Sequence, residues 1–262
     1  EQYTLDPEKI GPLITDKTVA ILPVHVYGHI CRWQRIREIA DKHGLKVIYD
    51  AAHAFGVSEN GVNAAVMGDV SMFSFHATKV FHTVEGGCLA YNDGSLEPFF
   101  TAWEKFGMYD GEQAELMGTN AKMTEFSAAM GLCNLRHLDE QIDCRRQAAE
   151  RYRQRLNGRC GIVLSPEQTG VVSNSAYMPV RFLPEERGYD RNAVMDALAG
   201  QEIFARKYFY PLTSAFPLVQ QNYPVQATPL AQKVSEEILC LPLYADLTAE
   251  QVDRICDVIT GL

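Results

Sequence analysis

The sequence predicts an α/β protein: a larger domain on a mainly parallel sheet, followed by a smaller α/β domain at the C-terminal side. Two observations carry that class. First, "TVAILPVHVYG" (Thr18 to Gly28), "CRWQRIREIADKHG" and "LKVIYD" read as strand, helix and strand with short links. A helical crossover of this kind joins parallel strands. Second, the helical stretch from about Lys122 to Leu156 changes character midway. "MTEFSAAMGLCNL" is apolar on most sides, as a buried helix is. "EQIDCRRQAAERYRQRL" is charged and amphipathic. A helix leaving one domain and entering another changes in this way, so the domains are expected at 1–140 and 141–262.

The elements follow in order. Thr18 to Gly28 is apolar and β-branched and closes on glycine, the pattern of a buried strand. In the next segment Trp33, Ile36, Ile39 and Ala40 recur at helical spacing, and Gly44 is placed as the C-terminal cap. "LKVIYD" is a second buried strand and ends at Asp50. "DVSMFSF" (Asp69 to Phe75) and "GGCLAYN" read as two more. After the long helix, "GIVLSP", "SAYMPVRF", "DRNAVMDALAG" and "QEIFARKYFY" continue a β/α alternation. The last helix opens with a capping box, Thr248 with Gln251 three residues on. No internal repeat or low-complexity tract interrupts the pattern.

Composition narrows the function classes. The 262 residues carry 24 basic and 33 acidic side chains, a net charge of −9. That charge opposes general binding to nucleic acid or anionic membranes. The seven cysteines are odd in number and form no CxxC pair, the usage of reduced cytoplasmic thiols. No apolar run reaches the length of a membrane span. "EQYTLDPEKIGPLI" lacks the basic flank and apolar core of a signal peptide.

Candidate chemistry centres on the ends of two strands. Ligands of open α/β sheets bind at the carboxyl ends of strands. Asp50 ends one strand, and Ser74 and Lys79 lie at or beyond the end of another. Lys79 sits in "SFHATKVFHTVEGG", a stretch otherwise suited to burial. Two readings stand open. It forms a salt bridge at the sheet rim, as solvated lysines do, or it is a buried amine of lowered pKa that acts as a nucleophile. His76 and His82 flank Lys79 and read as structural. Together with His25 and His53 they show no helical i, i+4 pair, so no metal site is expected. Glu85 closes a turn, and Gly86 and Gly87 give the backbone freedom beside it.

"VIYDAAHAFG" followed by "SFHATKVFHTVEGG" resembles the signature of the DegT/DnrJ/EryC/StrS family of pyridoxal-phosphate (PLP) dependent sugar aminotransferases. "HVYG" (His25 to Gly28), "GTNAKMTEFSAAMGLCNLRHLD" and "ARKYFYPL" (Ala205 to Leu212) resemble further family segments in the family order. The resemblance covers nearly the whole chain and implies fold type I of the PLP-dependent transferases, the aspartate aminotransferase-like fold. It implies that Lys79 carries PLP as a Schiff base and that Asp50 pairs with the pyridine nitrogen. Ser74 is implied on the cofactor phosphate and His53 near the ring or its phenolic oxygen. Asn120 is implied to reach the neighbour's phosphate across a homodimer interface; as a plain residue it also reads as a helix cap before "AKMTEF". The implied partners are L-glutamate and a nucleotide-linked keto sugar, with a lean toward a dTDP-linked 3- or 4-keto-6-deoxyhexose. His25, Tyr27, Arg206, Lys207 and Tyr208 are the candidate substrate contacts. "RKYFYP" offers cations for a diphosphate and aromatics for a base or sugar face, or is an ordinary strand with outward charges.

The family pattern carries further elements ahead of "TLDPEKI", with a phosphate loop and the aromatic that stacks on PLP, and this chain lacks them. A fragment, a start inside a longer protein, or a truncated non-catalytic paralogue serving as an interaction protein are the expectations. Sugar dehydratases of the same family replace the cofactor-bearing lysine with histidine, and lysine at 79 points away from them.

Overall fold

In the computed structural model, residues 3–262 are described; Glu1 and Gln2, part of the stretch read as lacking a leader, lie outside them. Along the chain run β1 (Ala20–Ile21), α1 (Trp33–His43), β2 (Lys46–Asp50), β3 (Ser58–Glu59), β4 (Val62–Asn63), β5 (Val70–Ser74) and β6 (Gly87–Tyr91). There follow α2 (Glu97–Glu104), α3 (Glu125–Leu135), α4 (Leu138–Leu156), β7 (Ile162–Leu164), β8 (Val171–Val172) and β9 (Met178–Phe182). The last elements are α5 (Pro184–Arg187), α6 (Arg191–Ala199), α7 (Pro217–Asn222), α8 (Pro229–Glu237), β10 (Ile238–Leu241) and α9 (Ala249–Thr260). The chain divides into two units. The first holds Thr4–Asp139 together with Gln168–Asn174; the second holds Glu140–Glu167 and Ser175–Leu262, with Tyr3.

The first unit is built on a sheet of order β1-β2-β5-β6. β1, β2 and β5 are parallel, and β6 runs antiparallel to β5. In β2 the alternation of side chains buries Val47 and Tyr49 while Lys46 and Ile48 stay exposed. α1 contributes Ile36 and Ala40 to the same core, and Trp33 and Ile39 pack at its margin. Gly44 ends α1 with φ of +65°, the left-handed cap that lacks a Cβ penalty. A small sheet of order β4-β3-β8 brings the distant segment Gln168–Asn174 onto this unit.

The second unit is an antiparallel sheet of order β10-β9-β7. Its core includes Tyr152 and Leu156 of α4, Val194 and Leu198 of α6, and Val252, Ile255 and Ile259 of α9. Arg151 and Arg155 of α4 pair with Asp253 of α9. The capping box forms as expected: Thr248 Oγ1 accepts from Gln251 N–H, and the Gln251 side chain accepts from Thr248 N–H. No helix among the described residues is long and apolar enough to cross a membrane.

Three expectations are corrected. The strand expected from Thr18 to Gly28 is only Ala20–Ile21. Pro23 has no N–H to donate, so pairing resumes as one bridge, Val24 with Asp50. There His25 N–H donates to Asp50 C=O at 2.9 Å and Asp50 N–H to Pro23 C=O at 3.0 Å. The single long helix is two. Arg136 N–H bonds Cys133 C=O and His137 N–H bonds Asn134 C=O, i to i−3 bonds that tighten and end α3. Its apolar face is also not buried within the chain: Phe126 is 91% and Leu132 64% exposed. Finally, "QEIFARKYFY" forms no strand, only a bridge of Arg206 with Cys240. The chain turns at once, Tyr208 N–H bonding back to Arg206 C=O at 3.0 Å.

Candidate functional site

Parallel pairing of β2 with β5 places their carboxyl ends at one edge of the sheet. Asp50 closes β2 in register with Met72, and Ser74 closes β5 two residues on. Asp50 Oδ1 accepts the Ala52 N–H at 3.0 Å. The loop after β5 is tied at its base. Phe75 N–H donates to Gly86 C=O and Thr83 N–H to Phe75 C=O, at 2.8 and 2.9 Å. Phe75 and Phe81 are buried and pack edge to face at 4.8 Å, and Phe55 stacks on Phe81 at 4.6 Å. Lys79 rides on this aromatic base, its own N–H bonded to His76 C=O at 2.9 Å.

The Lys79 side chain is half-buried. Burial pushes its pKa below that of a free lysine, and the Asp50 carboxylate opposes part of that shift. Among the described residues it makes no ion pair, so the rim salt bridge finds no partner. The same lysine acts on His53, whose pKa burial and the Lys79 charge lower to about 3. Lys79 thus lies within electrostatic reach of both Asp50 and His53. Ser74 Oγ accepts the His76 N–H at 3.4 Å, a long bond.

His53 is held through its ring. Tyr27 N–H donates to His53 Nδ1 at 3.0 Å, and the two rings lie near parallel at 6.5 Å. Tyr27 adopts φ of +58° to do so and is 5% exposed. His25 is fully buried and stacks on Tyr49 at 4.4 Å, with Nδ1 accepting the Cys31 N–H. His25 is thus a core residue stacked on β2, and Tyr27 is a buried support for His53.

His76 and His82 are braced locally. His76 Nδ1 pairs with the Thr78 hydroxyl at 2.9 Å, and His82 C=O accepts from Asn134 Nδ2 of α3 at 2.9 Å. Asn120 is exposed and does not cap a helix. α3 begins at Glu125, and Thr124 caps it by accepting the Ser127 N–H. Asn174 and Gln168 escape a reading of the sequence. Asn174 Nδ2 donates to His53 C=O across 121 positions of chain, and no local pattern marks such a contact.

Arg206, Lys207 and Tyr208 belong to the second unit. Arg206 Nη1 donates to Tyr208 Oη at 2.8 Å, and Tyr208 stacks on Phe209 at 4.9 Å. The guanidinium is thereby tied to its neighbour's phenol. Lys207 lines a cavity of about 760 Å³ with Arg191, Tyr210, Lys233 and Glu236. The Arg191 guanidinium lies 4.4 Å over the Tyr210 ring.

The family described as the DegT/DnrJ/EryC1/StrS aminotransferases matches residues 1–260. A dTDP-4-amino-4,6-dideoxy-D-glucose transaminase of Shigella dysenteriae is 38% identical over 96% of this chain and 68% of its own length. An Escherichia coli protein of the same name is 36% identical over 99% of this chain and 70% of its own length. The crystal structure of DesI with its TDP-sugar product, 32% identical, superposes with a TM-score of 0.91 over 98% of this chain and 65% of that one. The chain therefore spans about two thirds of the length of these relatives.

Proposed function

Taking as premise that this chain belongs to the DegT/DnrJ/EryC1/StrS aminotransferase family, we propose that it transfers the amino group of L-glutamate to a dTDP-linked 3- or 4-keto-6-deoxyhexose. The fold is that of the PLP-dependent transferases, and PLP is the cofactor of this family. One observation carries the reading. Lys79 is a half-buried amine without an ion pair among the described residues, pushed toward its neutral form, at the sheet edge where Asp50 ends its strand. That donor set fits PLP: an amine for the aldehyde, a carboxylate for the pyridine nitrogen and the Ser74 hydroxyl for the phosphate.

Bound there, PLP supplies an electron sink for the carbanion at the amine-bearing carbon. Lys79 Nζ would hold the cofactor. Lys79 Nζ would be the base that takes the proton from the α-carbon of glutamate and the acid that returns it. The Asp50 carboxylate would hold the proton on the pyridine nitrogen. With the keto sugar as acceptor, Lys79 would move the proton in the opposite sense. The names of the Shigella and Escherichia coli relatives support the dTDP-sugar reading. Lys207 and Arg206 are the cations of "RKYFYP" for a diphosphate, Arg206 sharing one of its five N–H donors with Tyr208. Homodimerisation is supported by the exposed apolar face of α3 and by exposed Asn120 ahead of it. The seven cysteines are all free thiols, which suits the cytoplasm.

Borohydride reduction of the PLP-loaded protein, followed by peptide mapping, is expected to leave the pyridoxyl group on Lys79. Adding L-glutamate before reduction should abolish the label and release 2-oxoglutarate, and a dTDP-linked keto sugar should then restore it. A label on another lysine sinks the assignment; restoration only by a GDP- or UDP-linked sugar sinks the substrate reading.

A further inference from the structure

Asn174 stands far along the chain from the loop after β2, yet it grips that loop by the main chain. Its Nδ2 donates to His53 C=O at 2.9 Å and to Phe55 C=O at 3.0 Å. The side chain is 1% exposed. Both hydrogens of one planar amide are engaged, so the loop is fixed in direction as well as in place. Gly28 presses on the same amide. A Cβ there would stand 3.0 Å from the His53 carbonyl oxygen and 3.1 Å from Asn174 Oδ1, at a φ of +85°. That contact brings the neighbouring Tyr27 N–H onto His53 Nδ1. The returning segment also holds the loop ahead of α1, which carries Tyr27 and Gly28. Gln168 Oε1 accepts the Ile30 N–H and Gln168 Nε2 donates to Ile30 C=O, each at 2.7 Å. Between them β8 pairs with β3, in register at Ser58 with Val172.

We propose that Asn174 is a positioning residue for His53: its amide holds the His53 and Phe55 carbonyls and so keeps the imidazole beneath the Tyr27 N–H, with Nδ1 as acceptor and the single ring proton on Nε2. The inference rests on reading His53 as a residue of the cofactor site. A neutral imidazole offers one donor and one acceptor, and which nitrogen carries the proton is set by the bond the other makes. With Nδ1 committed to a main-chain N–H, Nε2 is left as the donor, in a fixed direction. Burial and the charge of Lys79 keep the ring neutral, so the donor persists over the pH range in which a transaminase works. The segment Gln168–Asn174 thus does more than extend a small sheet; it sets the chemistry of a side chain more than a hundred positions away.

The test is NMR of the protein carrying ring-¹⁵N histidine, without added cofactor. In the wild type His53 should show an unprotonated Nδ1 and a protonated Nε2. In Asn174→Ala the two shifts should collapse toward the average of exchanging tautomers. His25, held separately by the Cys31 N–H, should keep its own pattern and report that the unit is folded. Unchanged His53 signals beside unchanged His25 signals overturn the proposal. If Asn174→Ala loses the His25 pattern, Asn174→Ser, which keeps one donor, is read by the same two signals. Independently of any variant, a wild-type His53 with its proton on Nδ1, or with averaged shifts, also overturns it. Failure of the cofactor reading is seen elsewhere. Absence of the pyridoxyl label on Lys79 with a responsive His53 removes that reading alone, and a labelled Lys79 with an unresponsive His53 removes the positioning role alone.

Discussion

His25 and Lys79 show one physical effect at two strengths. Burial disfavours the charged form of a base and lowers its pKa. For half-buried Lys79 the result is an amine nearer to neutral. For His25, with no exposed surface, the pKa falls from 6.5 to about 4. The sign of the linkage follows. Between pH 6.5 and about 4 the unfolded chain binds a proton at this position and the folded chain does not. Stability therefore falls as pH drops through that window, at about 1.4 kcal/mol per pH unit for one proton. His25→Asn keeps an acceptor for the Cys31 N–H and cannot titrate. Urea midpoints from pH 7 down to about 4 are expected to decline less steeply in the variant, though it starts from a lower value. Parallel declines would show that His25 titrates alike in both states.

At the scale of elements, α3 and the loop that carries Lys79 are one packed pair. Asn134 on α3 bonds His82 C=O, and Gly131 lies against Thr83. A Cβ at Gly131 would come within 2.8 Å of Thr83 Cγ2 and 3.6 Å of Phe81 Cζ. Alanine gains about 1 kcal/mol of helix propensity over glycine. Overpacking a close contact costs about 1–3 kcal/mol, so crowding outweighs propensity. Gly131→Ala is expected to lower the unfolding free energy by up to about 2 kcal/mol on these two magnitudes. Because the displaced strip directly follows Lys79, the yield of borohydride label should fall with it. A variant as stable as wild type and equally labelled would mean that the helix does not set the loop.

For the whole molecule the question is what covers α3. Phe126, Leu132 and Leu135 leave it 91%, 64% and 50% exposed, more apolar surface on one helix than a lone domain usually shows. A second copy of the chain is the proposed cover, with Asn120 reaching the neighbour's site. Complementation tests this. Lys79→Ala and Asn120→Ala chains are mixed under subunit exchange. If Asn120 acts in trans, one site of the heterodimer carries both lesions and the other neither, and activity should rise above either parent. If mixing restores nothing, Asn120 serves its own chain.

What the sequence by itself determined were features governed over a few residues. The strand, helix and strand leading to Asp50, the Gly44 cap and the capping box of Thr248 with Gln251 were legible because periodicity and capping act within one or two turns. The ordered motifs around Asp50 and Lys79 were legible as a family pattern for a similar reason: each is a continuous string. The tertiary structure decided the rest. His25 sits in the same short motif as Gly28 but is core, which depends on Tyr49 arriving from another strand. The bond from Arg206 to the Tyr208 hydroxyl depends on the turn that follows Arg206. α3 looked buried because apolarity was visible and its neighbours were not. Asn174 carried no signal at all, since its meaning lies in two carbonyls brought to it by the pairing of β8 with β3. Such contacts join residues far apart in the chain, and only the folded arrangement of strands decides which of them meet.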